Sequence, residues 1–359
     1  MSTEQFTRRH LLAAMTAASA FRPMNTRAED PLEQRLNTLS IEQLVGTLFV
    51  VPILGTSLSP EEILMLETMQ PGGVILVSNN IGTDDEVRSL VAAIHATNPT
   101  LPPLVCIDQE GGLVSRLPGD PALDAPMLGT LPPEEIARQS ALRGEFLATF
   151  DIDVNFAPVA DIAWTPDSFM SGRAFGSTPE QVAVAVAAYT EGANTTPVTH
   201  CAKHFPGHGR AVTDSHYALP VVDLSAEDWS ITDALPFAAA VDAGIPMVML
   251  GHLQLPQWDD LPASLSPEAV RMLRDDLGFD GLVITDDLGM DALAAYDAFT
   301  ITDLALAAGV DTLLFAKPQV PVEQLAAHLL ERISTGDLEP AAIRDRARRM
   351  VALREAHRS

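Results

Sequence analysis

Eight short apolar runs, at residues 48–51, 73–78, 104–108, 154–158, 198–203, 247–251, 281–286 and 312–316, recur along the chain. Each is nearly continuous in Val, Ile and Leu rather than alternating, which is the pattern of strands buried on both faces of a parallel sheet. Amphipathic, Ala-rich stretches lie between them and carry helix-start signals. Ser59-Pro60-Glu61-Glu62 and Ser266-Pro267-Glu268 place an N-cap before a proline at the first helical position. Thr83-Asp84-Asp85-Glu86 and Ser40-Ile41-Glu42-Gln43 fit the capping box. Eight strands alternating with helices predict a single (β/α)8 barrel of the TIM type, which accommodates chains past about 250 residues as one unit. A doubly wound nucleotide-binding sheet is disfavoured: no Gly-x-Gly-x-x-Gly follows the first run, and no Gly-Lys-Ser/Thr occurs. After the eighth run only a helical tail remains, from Pro321 to about His357, so residues 31–359 read as one catalytic domain.

The first 28 residues read differently. Thr7-Arg8-Arg9-His10-Leu11-Leu12 opens a short apolar stretch that ends in Ala18-Ser19-Ala20. A basic start, an apolar core and a small-x-small end predict an export signal, and the arginine pair suggests the twin-arginine type. The expected location is therefore outside the cytoplasm. No other stretch is long and apolar enough to span a bilayer, which takes about 20 residues, so no stable membrane insertion is expected once the signal is removed. Residues 1–28 hold four Arg and one Glu, so without them the formal net charge goes from −26 to −29. A surface this acidic argues against nucleic acid or anionic membrane as a partner. Cys106 and Cys201 both fall in interior strands, where small buried thiols are common, and are expected to be free.

Polar residues gather at the C-terminal ends of the runs, the active face of such a barrel. The third run leads into Asp108-Gln109-Glu110-Gly111-Gly112 and then Arg116. The fourth leads into Asn155-Phe156-Ala157-Pro158-Val159-Ala160-Asp161, with Ser171-Gly172-Arg173-Ala174-Phe175-Gly176 beyond it. Lys203-His204-Phe205-Pro206-Gly207-His208-Gly209 follows the fifth, then Asp214-Ser215-His216. It reads as a strand ending in a shaped loop that carries one of only two lysines in the chain. Gly251-His252 follows the sixth, and Thr285-Asp286-Asp287-Leu288-Gly289-Met290 the seventh. Five such groups at the same end of five strands point to a reaction site rather than to solvation.

In this ordered set the chain resembles glycoside hydrolase family 3, and within it the single-domain β-N-acetylglucosaminidases that trim peptidoglycan. The resemblance spans roughly residues 40–350. It implies that Asp286 is the nucleophile, His216 the acid/base and Asp214 its partner. It further implies that Asp108, Arg116, Arg173, Lys203 and His204 hold the terminal sugar. Ala174 stands where the family more often has Ser after the arginine, which leaves only local contacts open. Two-domain members take their acid from a second domain. In a barrel without that domain the acid must come from the barrel itself, and the histidine loop offers one.

The chemistry is consistent with this without the resemblance. Cleavage at an acetal carbon needs an anion to meet an oxocarbenium-like centre and an acid to protonate the departing oxygen. A carboxylate at a strand end is rigidly placed for the first task. A histidine, which titrates near 6.5 when unperturbed, can give and recover a proton near neutrality, and a carboxylate two residues away can hold its ring. Asp287 adjoins Asp286, but successive strand side chains point to opposite sides, so only one of the two can face the sugar; the resemblance selects Asp286, and Asp287 is expected to support the turn. His204 and His208 are four apart, yet Phe-Pro-Gly between them breaks a helix, so no metal site is expected, and no cofactor. His252 is left open between a core histidine and a group behind the site. The expected activity is that of a retaining exo-β-N-acetylglucosaminidase acting on a carbohydrate substrate. A β-glucosidase, a β-xylosidase or a phosphorylase on the same scaffold, and a non-catalytic glycan-binding protein, are the alternatives.

Overall fold

A computed structural model describes residues 30–358; the predicted export signal lies outside them. Eight strands form the centre: β1 (Phe49–Pro52), β2 (Gly73–Leu76), β3 (Leu104–Ile107), β4 (Val154–Asn155), β5 (Thr199–Phe205), β6 (Met247–Leu250), β7 (Leu282–Thr285) and β8 (Leu313–Leu314). They pair in parallel in the order β7-β6-β5-β4-β3-β2-β1-β8. A bridge between Ile284 and Thr312 joins the two ends, and the Asp311 and Thr312 amides donate to the Val283 carbonyl. The sheet thus closes into the expected (β/α)8 barrel.

Strand parity divides the core in two. Val50, Ile75, Cys106, Val154, Cys201, Met247, Met249, Leu282, Ile284 and Leu314 point inward and pack on one another, joined by Met350 of the C-terminal helix Pro340–Ala356. The opposite strand faces pack against the surrounding helices in a larger cluster. Burial on both faces is why the runs read as continuous rather than alternating. Both cysteines are free and buried. The helix starts form as the sequence dictates: Ser40, Ser59 and Thr83 each cap a helix through the side-chain oxygen, and their amides donate in return to the side chains of Gln43, Glu62 and Glu86.

The structure corrects the boundary of the fifth run. β5 continues through Phe205, two residues past the predicted run, so His204 stands on the strand beside Lys203 rather than in the loop that the Pro and Gly residues suggested. Phe205 is fully buried against Trp229 and Phe237, and the Lys203 amide donates to Pro158 while its carbonyl accepts from Ala160. Those contacts hold the backbone extended past the end of the apolar run. β4 and β8 are conversely two residues each.

Candidate active site

The cavity at the C-terminal ends of the strands has a volume of about 680 Å³. Interior parity carries straight into it. Asp286 follows Leu282 and Ile284 on the inward face of β7, and Asp108 follows Leu104 and Cys106 on β3, so both carboxylates top columns of core side chains. Strict alternation would send Lys203 and His204 to opposite sides. The pairing of β5 with β6 slips between Ala202 and Phe205, an irregularity that re-aims side chains, and both residues line the cavity.

A buried charge network forms its floor. Lys203 Nζ lies 2.6 Å from Asp108 Oδ1 and 2.7 Å from Glu110 Oε1. Arg173 donates to Glu110 through Nε and Nη2, at 2.9 and 2.6 Å. Burial pushes the Glu110 carboxyl up, but Lys203 and Arg173 outweigh it and hold the group at about 2. Burial would likewise lower the Lys203 ammonium; Asp108 and Glu110 raise it instead. Arg116 reaches Asp108 at 3.8 Å from the cavity wall. Behind this network Gln109 and Asn155 exchange hydrogen bonds across β3 and β4 (2.9 and 3.0 Å), and Gln109 Oε1 accepts from the Arg116 and Leu117 amides. The loop bearing Asp108, Glu110 and Arg116 is thereby fixed to the barrel.

Asp161 plays the same part for β5. Its carboxylate accepts from His204 Nδ1 at 2.7 Å and from the His208 amide at 2.6 Å. Asp286 is half-buried at the cavity floor; desolvation alone would raise it, but His204, His252, the Asp287 amide and Lys203 hold it at about 2. Asp287 also touches the cavity, but its Oδ1 accepts from the Gly289, Ala316 and Lys317 amides, so it ties the β7 and β8 loops together as expected. His252 is buried and bridges Ser264 Oγ and the Asp287 carbonyl, behind the site rather than in it.

His216 lines the cavity from an exposed turn, its side chain 56 % accessible. Asp214 Oδ1 takes both the His216 amide and its Nδ1, at 2.9 and 2.8 Å. The structure therefore brings Asp108, Arg116, Arg173, Lys203, His204, His216 and Asp286 to one cavity, with Asp214 on the His216 ring. Glu110 and Asp161 take part in the site although the sequence alone assigns neither a role. Glu110 had a usable signal, because it shares strand parity with Asp108. Asp161 had none beyond its place after a strand.

The arrangement offers an anion at the cavity floor, a paired histidine at its mouth and a ring of charged hydrogen-bonding groups between. The glycosyl hydrolase family 3 N-terminal domain model matches residues 39–353. A beta-hexosaminidase of Bordetella avium (strain 197N) is 34% identical over 316 residues, covering 84% of this chain and 87% of that protein. One from Pseudomonas aeruginosa (strain LESB58) is 35% identical over 286 residues, covering 78% and 85%. Among solved structures, a family 3 beta-N-acetylglucosaminidase from Paenibacillus sp. str. FPU-7 matches with a TM-score of 0.84 at 30% identity. That match covers 89% of this chain and 63% of that one, so the chain spans less than two thirds of the longer enzyme. A beta-N-acetylhexosaminidase from Beutenbergia cavernae DSM 12333 matches at 0.78 and 32%, covering 88% of this chain and 98% of that one. With the barrel and these relatives in agreement, the chain belongs to glycosyl hydrolase family 3 and is a glycoside hydrolase.

Proposed function

We propose that the protein is a retaining exo-β-N-acetylglucosaminidase, releasing terminal N-acetylglucosamine from peptidoglycan-derived or related glycans through a covalent glycosyl–Asp286 intermediate. One observation carries the mechanism: a half-buried, anionic Asp286 shares its cavity with the Asp214–His216 pair. The carboxylate is charged at any working pH and meets the positive anomeric carbon. Asp214 occupies His216 Nδ1, which leaves Nε2 to protonate the departing oxygen and then to deprotonate water. Asp108, Arg116, Arg173, Lys203 and His204 take the sugar hydroxyls; ion pairs with one another and with Glu110 and Asp161 hold them ready before substrate arrives. The beta-hexosaminidase and beta-N-acetylglucosaminidase relatives support N-acetylglucosamine as the sugar. Trapping with a slow fluorinated N-acetylglucosaminide should label Asp286, and Asp286→Ala should be folded but inactive. A label on Asp287 or on any glutamate overturns the assignment.

The leader supports export by the twin-arginine route, with folding before transport. Changing Arg8 and Arg9 to Lys should strand the protein in the cytoplasm. An exported fraction still beginning near Met1 contradicts this.

A further inference from the structure

We infer that Phe169 is a positioning residue for the reaction: its ring passes the placement of the buried charge network on to His216, and so sets the acid/base against Asp286. The inference rests on the acid/base role proposed above for His216.

His216 stands on an exposed turn, yet proton transfer to a glycosidic oxygen needs its ring held within hydrogen-bond reach of that oxygen. Asp214 Oδ1 fixes the tilt of the ring from two residues away, but it belongs to the same turn and moves with it. The Ala292 amide holds the turn through the Ser215 carbonyl at 3.3 Å, a contact that places backbone and not ring. Phe169 reaches the ring from a different loop. The two centroids lie 6.3 Å apart with their planes at 65°, an edge-on aromatic pair.

Phe169 is itself held on its other sides. The Arg173 guanidinium lies over its ring, 5.7 Å from the centroid and within cation–π range, and two bonds to Glu110 lock that guanidinium. His208 packs against Phe169 at 5.4 Å. The His208 ring is fully buried, and its nitrogens make no hydrogen bond among the described residues. Burial depresses it to about 4, against an upward pull from Asp161, so it stays neutral. It acts as a fixed, uncharged plate, with its backbone amide pinned to Asp161 at 2.6 Å. Backbone contacts run the same way: the Phe169 amide donates to the Ala211 carbonyl at 3.2 Å, and Ser168 Oγ to the Gly209 carbonyl at 2.7 Å. Phe169 thus stands half-buried on the cavity wall, with rigid Arg173 and His208 behind it and the exposed His216 before it.

The test separates the steps that need His216 from the one that does not. Phe169→Ala should lower kcat/KM for the β-linked N-acetylglucosamine disaccharide by about tenfold to a hundredfold. Phe169→Leu, which keeps most of the apolar bulk and removes the ring, should do the same and covers the case in which the alanine variant does not fold. The burst rate constant with a dinitrophenyl N-acetylglucosaminide, whose leaving group needs no acid, should stay within about twofold of wild type. Azide should then speed steady-state turnover of that substrate, which waits on the base. In a His216→Gly background, adding Phe169→Ala should change this turnover by no more than about twofold, because the ring it positions is gone. Unchanged disaccharide kinetics, equal losses in disaccharide cleavage and in the burst, or a further loss in the double variant would each overturn the positioning role. A His216→Gly enzyme that still cleaves the disaccharide normally overturns the acid/base reading itself, and the inference with it.

Discussion

The two adjacent aspartates after β7 show how much one position along a strand decides. Asp286 inherits the inward parity of Ile284 and meets a cavity lined by Lys203 and His204, whereas Asp287 spends its oxygen on three backbone amides. Burial raises Asp287, while surrounding positive groups hold Asp286 at about 2. The sign follows directly: the Asp286 charge is present above that value and is lost only as pH falls through it. Protonation of the nucleophile therefore does not produce an acid limb in the working range. His216→Gly isolates this. The variant should retain formation of the glycosyl-enzyme from a dinitrophenyl glycoside, which needs no acid, and lose cleavage of a natural disaccharide. It should show a burst of aryl release and recover turnover with azide, a nucleophile that needs no deprotonation. Its burst rate constant should stay flat from neutrality down to about pH 4. A limb above that, or equal losses for good and poor leaving groups with no azide effect, would remove His216 or Asp286 from these roles.

Among elements, the loops after β4 and β5 meet backbone to backbone. A Cβ on Gly209 would lie 1.8 Å from the Ile162 carbonyl oxygen, and Ser168 Oγ donates to the Gly209 carbonyl at 2.7 Å. This contact sets where the chain emerges toward Asp214 and His216. Gly209→Ala should cost about 1–3 kcal/mol by forced displacement and lower kcat for good and poor leaving groups alike. Gly55→Ala, whose nearest neighbour is 3.7 Å away, is the control and should change neither Tm nor kcat. An unaltered Gly209→Ala enzyme would show that the two loops are not mechanically joined. The same element scale separates what the sequence discloses from what it conceals. Runs of Val, Ile and Leu reveal eight strands because burial on both faces leaves a compositional trace, and polar residues just past those runs, with the Asp214-x-His216 spacing, reveal candidates. The slip in β5 that turns Lys203 and His204 to one side leaves no such trace, since it depends on how β5 lies against β6. Nor does pairing across distant loops: Glu110 meets Arg173, and Asp161 meets His204, only because the barrel closes.

At the scale of the whole molecule, charge is the dominant unbalanced term. The formal net charge is −26, with 48 acidic against 22 basic side chains. Two effects of salt oppose each other on such a surface. Screening weakens exposed ion pairs such as Arg271 with Glu268 and Asp276 or Arg138 with Glu135, each worth only about 0–1 kcal/mol. Screening also relieves repulsion among the excess carboxylates, which act collectively against the compact state. Even if every basic group were paired, most acidic ones would remain unneutralised, so relief of repulsion wins. Added sodium chloride should therefore raise Tm at pH 7, most steeply as the screening length falls from about 10 Å at 0.1 M to about 3 Å at 1 M. Near pH 4.5, where the chain as a whole is neutral, the same titration should leave Tm nearly flat. The second condition identifies the cause, because an effect of chloride on apolar burial would persist at both pH values whereas relief of charge repulsion would not. A Tm that is insensitive to salt at pH 7, or that falls, would mean that the carboxylates lie too far apart to repel and that the ion pairs hold more of the stability than their exposure suggests.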